Sequence, residues 1–181
     1  MEISFKNSQR DCHVDGRFLR KTIQTVINTE FADFQGECCF HLVTKKHMAA
    51  VNQKFLNHQG PTDVITFDLA EDPDHKIFLA QLYICPGVAR VQAKKFETTW
   101  PDELIRYHVH ALLHLKGYDD QTPAARRTIK RHEERIMRWL RKSQNLNQLE
   151  RVPHPADVQN APPNKSVRTP KPSRQFIRID R

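Results

Sequence analysis

VITFDLAEDPDHKIFLAQLYIC, residues 64–85, holds the two apolar runs that decide the fold. Val64–Leu69 and Ile77–Cys85 are short, rich in β-branched and aromatic residues, and read as strands. Between them AEDPDHK has turn chemistry, through Pro73 and the flanking Asp72 and Asp74. Gly60-Pro61 breaks the chain just upstream. Before that break the pattern alternates between strand and helix. Glu2–Asn7 (EISFKN) has a period of two and reads as a strand, and Arg17–Phe31 places Leu19, Ile23, Val26 and Ile27 on one helical face. Glu37–Val43 (ECCFHLV) is the next strand. Thr44 follows as the N-cap of a helix whose inner side carries Met48, Val51 and Phe55. After Pro86 the chain is helical to about Leu146, with breaks near Trp100-Pro101 and at Gly117. The order β-α-β-α-β-β followed by helices predicts an α/β fold. It is a single domain with a four-stranded mixed sheet, partly antiparallel, packed with about five helices.

Composition narrows the function classes. A chain of 181 residues can bury a substantial core. It has no stretch of about 18 apolar residues, which excludes a transmembrane helix. The start, MEISFKNSQRDCH, lacks the basic and apolar regions of a secretory signal. Cys12, Cys38, Cys39 and Cys85 have no CxxC spacing and do not read as a disulfide framework. The expectation is a reduced, cytoplasmic protein with no membrane partner. The net charge is +8, and residues 151–181 hold seven Lys/Arg against two Asp/Glu together with six of the eleven prolines. That composition predicts a disordered basic tail over 147–181 beyond a domain at 1–146.

The chemistry is concentrated in YHVHALLHLKGYDDQTP, residues 107–123. His110 and His114 are four apart in a helical pattern, so both imidazoles leave the same face with Cβ atoms about 5–6 Å apart and can converge on one ion. Gly117 suits the left-handed position that ends a helix, and Asp120 then supplies a carboxylate where a third ligand would stand. Three protein ligands leave one position open, the arrangement of a catalytic zinc. A histidine pair at this spacing is by itself common. The pair, the helix stop and the carboxylate together make the signal. His108 faces elsewhere and reads as surface or as a group behind the ligands, His132 as part of a solvated charged face and a reserve ligand, and Asp119 as a turn-stabilising residue or a partner behind a ligating histidine. Ala111 stands where HExxH peptidases carry their glutamate base, which counts against peptide hydrolysis.

HALLHLKGYDD resembles the HGxLHLxGYDH signature of the YbeY-type endoribonucleases, which mature ribosomal RNA. NQKFLNHQGPTDVITFD is similar to that family's NxxYRxKDxPTDVLSFP, matched at Asn52, Phe55, Pro61, Thr62, Asp63, Val64 and Phe67, and FLAQLYIC stands at its LGDIxIS strand. The resemblance spans about residues 1–145. It implies a metal-dependent endoribonuclease, specific for single strands, acting in 3′ end processing of small-subunit ribosomal RNA and in ribosome maturation. The implied partners are that RNA and the small ribosomal subunit, and the implied cofactor is one Zn2+ per chain. His110 and His114 match the first two zinc ligands, and Asp120 stands where the family has its third histidine. Further departures are Leu56 for an arginine, His58 and Gln59 for a lysine and an acid, Gln81 for the strand aspartate, and Ala111 for a glycine. They leave open an alternative, a ribosome-assembly RNA-binding protein with a mainly structural metal. Arg126, Arg127, Lys130 and Arg131, in the helix after the motif, are candidates for binding RNA phosphates.

Overall fold

The computed structural model describes residues 1–70 and 77–150 and a strand at 176–179. The turn expected at AEDPDHK and most of the tail expected to be disordered lie outside the described residues. The elements run β1 (Glu2–Asn7), α1 (Gly16–Glu30), β2 (Gln35–Leu42), α2 (Lys45–Leu56), β3 (Val64–Asp68), β4 (Ile77–Ile84), α3 (Pro86–Lys95), α4 (Trp100–Leu115), α5 (Pro123–Ser143) and a final β5 (Phe176–Ile179). Four strands lie in the order β1-β2-β4-β3. β1, β2 and β4 are parallel, and β3 is antiparallel to β4. This is the mixed sheet and the set of five helices that the pattern predicts.

Two features extend the predicted boundaries. Phe176–Ile179 pairs antiparallel with the outer edge of β3, adding a fifth strand inside the segment expected to be disordered. FIRI is a short β-prone run in a proline-rich stretch, and pairing satisfies an edge that would otherwise expose its peptide groups. Leu146–Leu149 forms a 3-10 turn with both leucines buried, and the Asp15 amide donates to the Leu149 carbonyl at 2.9 Å. The packed chain therefore runs past Leu146.

Alternation along the strands divides the core. Ile3, Cys38, Phe40, Leu42, Ala80 and Leu82 face α1, α4 and α5, while Ile65, Phe67 and Tyr83 face Met48 and Val51 of α2. Gly36 opens β2 at φ +102°, where a Cβ would meet the Phe78 carbonyl oxygen at 2.1 Å, so no other residue lets β2 and β4 approach this closely. Among the described residues, no helix is long and apolar enough to cross a membrane.

α4 is the central strut. Every residue from Pro101 to Leu115 is buried, so this helix has no solvent face. That corrects the expectation for His108, which is neither on the surface nor behind the ligands. Its ring lies 5.2 Å from Phe40 and 6.0 Å from Phe5, and its Nδ1 is 2.7 Å from the Leu104 carbonyl. A residue two positions from His110 points away from it, and here away from it means into the core.

Burial lowers the pKa of His108 from 6.5 to about 4, against the opposing pull of the Leu104 carbonyl. The unfolded chain therefore binds a proton that the folded chain refuses between those two values. The stabilising contribution of neutral His108 is complete above pH 6.5 and is lost as pH falls toward 4. At most about 3 kcal/mol is involved for this ring. Urea titrations of metal-free protein at pH 7, 5 and 4 should show a falling midpoint, and His108→Phe should flatten the fall. An identical pH dependence in the variant would remove His108 from the account.

Candidate metal centre

The last two turns of α4 carry His110 and His114, and packing on all sides fixes both rings. The rings are nearly perpendicular, with centroids 4.8 Å apart, and their Nε2 atoms face each other at 3.3 Å. Two ligand nitrogens on a tetrahedral zinc, each about 2.0–2.1 Å from the ion, stand about 3.3 Å apart. The His114 ring also has a hydrogen bond with the Tyr118 backbone.

The turn after α4 brings in the third group. The Gly117 amide donates to the His114 carbonyl at 2.8 Å, and the Tyr118 amide to the Leu113 carbonyl at 3.1 Å, with Gly117 at φ +89°. These two bonds form a Schellman cap, and they fold the chain back over the histidines. Asp119 Oδ1 accepts the amides of Asp120 and Gln121, at 2.7 and 3.0 Å, so this residue does the turn-stabilising work expected of it. Asp120 Oδ2 then lies 4.0 Å from His114 Nε2, and the ligand atoms of His110, His114 and Asp120 all fall within 4.8 Å of one another. The Asp120 side chain remains 13% exposed, which leaves the centre open to solvent on that side. Thr122 caps α5 by accepting the Ala125 amide, and Arg126 donates to the Asp120 carbonyl from Nη2 at 3.1 Å. The donor set therefore fits a divalent cation, with two neutral imidazoles, one carboxylate and an open side.

Electrostatics agree with that fit. Burial, reinforced by His110, brings the His114 pKa down to about 4, so the ring is neutral and ready to ligate at physiological pH. Burial raises the Asp120 pKa while neighbouring His110 opposes the rise. Asp63, the last residue of the PTD stretch, is buried nearby. Desolvation raises its pKa against the hydrogen bonds it accepts from Thr62 Oγ1 and the Val64 amide, each 2.9 Å long.

Two residues escaped the sequence reading. Glu133, next to His132 in the helix read as a solvated charged face, is 1% exposed, and its Oε2 lies 2.9 Å from His110 Nδ1 in a contact that is short but bent. Its Oε1 accepts from Nη1 of buried Arg106 at 2.9 Å. A helical-face count from Ile129, Glu133, Ile136, Met137 and Leu140 would have placed Glu133 on the inner side. His132 does not join the cluster, and its ring packs 4.5 Å from Tyr118 instead. Arg126, Arg127, Lys130 and Arg131 are exposed on the first turns of α5. Leu56 packs against the α2 side of the core, and Gln81 Oε1 is 2.6 Å from His41 Nε2.

The sequence profile of the family described as Endoribonuclease YbeY matches residues 4–141. The chain is 33% identical over 132 residues to the Endoribonuclease YbeY of Chlorobaculum parvum, covering 73% of this chain and 91% of the relative. With the Endoribonuclease YbeY of Chlorobium luteolum it shares 29% over 143 residues, covering 77% and 98%. The solution structure of TM1509 from Thermotoga maritima superposes with a TM-score of 0.53 at 22% identity, over 91% of this chain and 99% of that one. At that identity the likeness speaks for the fold.

Purified protein should carry about one zinc per chain, and His110→Ala combined with His114→Ala should remove it. Asp120→Ala should weaken zinc by more than the roughly 10–100-fold typical of lost outer partners, because two imidazoles alone hold an ion poorly. Asp120→Asn should fall between, and Asp120→His should retain the metal. Elemental analysis together with competition against a chromophoric chelator gives all four values. Full zinc affinity in Asp120→Ala would take Asp120 out of the set.

Proposed function

The chain belongs to the YbeY endoribonuclease family, and from that premise we propose that it is a metal-dependent hydrolase of single-stranded RNA, acting in 3′ end processing of small-subunit ribosomal RNA. The observation that carries this reading is the pair of Nε2 atoms held 3.3 Å apart on a buried helix, with Asp120 folded over them. His110, His114 and Asp120 hold one divalent cation, zinc in this reading. When bound, the ion supplies Lewis-acid activation for phosphodiester hydrolysis at the open side of the site.

The chain's own residues do the remaining work. The closed packing of α4 fixes the two imidazoles before any metal arrives, so little ordering is left for the binding step. Arg126 ties the Asp120 carbonyl to α5 and sets how far the carboxylate reaches. Arg127, Lys130 and Arg131 present exposed cations on the same helix and follow the RNA backbone. Ala111 leaves the peptidase base position without a carboxylate, which speaks against peptide hydrolysis. We place the protein in the cytoplasm, on the small ribosomal subunit. Its free cysteines are in keeping with a reducing compartment.

Purified protein supplied with zinc should cut a single-stranded RNA and spare a duplex of the same sequence, and a chelator should abolish cutting. Replacing Arg127, Lys130 and Arg131 with Gln should weaken RNA binding most at low salt. It should also lower the slope of log affinity against log salt by roughly 2, from about 0.7 per lost contact with a single strand. Tight RNA binding without chelator-sensitive cleavage would favour the assembly-factor reading over this one.

A further inference from the structure

We propose that Glu133 is a positioning residue for the metal centre: anchored by buried Arg106, its carboxylate accepts a hydrogen bond from the Nδ1–H of His110 and so turns the His110 Nε2 lone pair toward His114 and Asp120. The inference rests on the metal site proposed above and adds a residue from another helix to it.

The geometry divides one carboxylate between two partners. Glu133 Oε1 is 2.9 Å from Arg106 Nη1, and Oε2 is 2.9 Å from His110 Nδ1, close enough to accept a hydrogen bond from it although the contact is bent and neither of these last two atoms has another hydrogen-bond partner among the described residues. Arg106 stands one turn before His110 on α4, so guanidinium and imidazole leave the same side of that helix, and Glu133 meets both from α5. All three side chains are under 10% exposed, so water does not compete for these contacts. A neutral imidazole has one ring proton. If Glu133 holds it at Nδ1, Nε2 is a pure acceptor, which is the form that ligates. That acceptor faces His114 Nε2 across 3.3 Å. The same spacing suits two nitrogens on one tetrahedral ion.

Arg106 holds the buried carboxylate in place. It also lies 3.4 Å from Asp102, 3.7 Å from Glu103 and 3.1 Å from Glu134, while Arg141 holds Asp102 and Glu134 from the far side. Four carboxylates thus surround two guanidinium groups. The surplus is negative, which favours a cation at the neighbouring histidines. A purely structural Glu133 would need only Arg106. Its second oxygen would have no reason to face His110.

Three measurements decide the matter. In zinc-free wild-type protein, the 15N resonances of His110 should report the Nδ1–H tautomer. In Glu133→Gln they should report a mixture of tautomers. Zinc affinity, measured by chelator competition on protein whose fold is verified by circular dichroism, should drop about 10–100-fold in Glu133→Gln. Arg106→Gln should lower it too. The double variant should lose less than the two separate losses combined, because both act through one contact. Zinc held equally well by wild type and Glu133→Gln, or a wild-type His110 carrying its proton on Nε2, overturns this proposal alone. Failure of the wild type to bind zinc overturns the metal reading and this proposal with it. Should Glu133→Gln not fold, the wild-type spectrum still decides.

Discussion

The structure depends on burying a helix that carries charge. α4 has no solvent face, yet Asp102, Glu103, Arg106, His108, His110 and His114 all lie on it. A lone buried charge is untenable, and stripping one partner from a buried pair costs about 3–5 kcal/mol. Every polar group on α4 therefore dictates something about its surroundings. Arg106 requires acids, and α5 supplies Glu133 and Glu134. Burial works against the charge on Arg106, but these carboxylates prevail and raise its pKa above the usual value. Asp102 in turn takes two bonds from Arg141 near the end of α5. The placement of α5 along α4 thus follows from charge pairing as much as from the apolar contacts of Ile129, Ile136 and Leu140.

Much of this could be read before any coordinates. The strand and helix order, the Thr44 cap, the inner residues of α1 and the pair at His110 and His114 all follow from local periodicity, which a sequence displays directly. Asp119 and Gly117 were legible for the same reason, because turn chemistry is local. What escaped was tertiary. His108 is core because the helix is surrounded, and no count along α4 distinguishes a surrounded helix from a half-exposed one carrying so many polar residues. Glu133 was hidden by its neighbours. In RRTIKRHEERIMRWL the charges dominate the composition, although the single acid on the apolar side is the one that reaches His110. FIRI was lost in the averaged composition of a proline-rich tail, where four residues are too few to change the mean.

Asp120 shows how a substitution at a site is accommodated by its setting. A carboxylate is shorter than an imidazole, and Asp120 Oδ2 still stands 4.0 Å from His114 Nε2, farther than the roughly 3.3 Å spacing of ligand atoms on a tetrahedral ion. The loop has limited freedom to close that distance. The Schellman cap fixes its start, Asp119 fixes its middle, and Arg126 and the Thr122 cap fix its end. The carboxylate itself can swing about its own side-chain torsions, and its partial exposure leaves it room to do so. The backbone therefore fixes the site's position, and the side chain supplies the last part of the reach.

The charge balance of α5 follows from the same division. On the proposed reading, an anionic third ligand and Glu133 behind His110 offset much of the charge of a divalent ion, so the centre attracts a phosphodiester less than a site built from three histidines. Long-range attraction must then come from elsewhere, and Leu56 supplies none. In that reading α5 supplies it from its solvent-facing residues, where Arg127, Lys130 and Arg131 are exposed within one or two turns of the buried Glu133. One helix thus presents an acid inward to steady a cation and bases outward to draw in an anion. The two fields do not cancel. Glu133 lies at short range against Arg106 and His110, while Arg127, Lys130 and Arg131 are exposed to solvent. Because a field in water decays over about 8–10 Å at moderate salt, on the proposed reading the outer bases would govern the approach of RNA, and the inner acid only the ligands it touches.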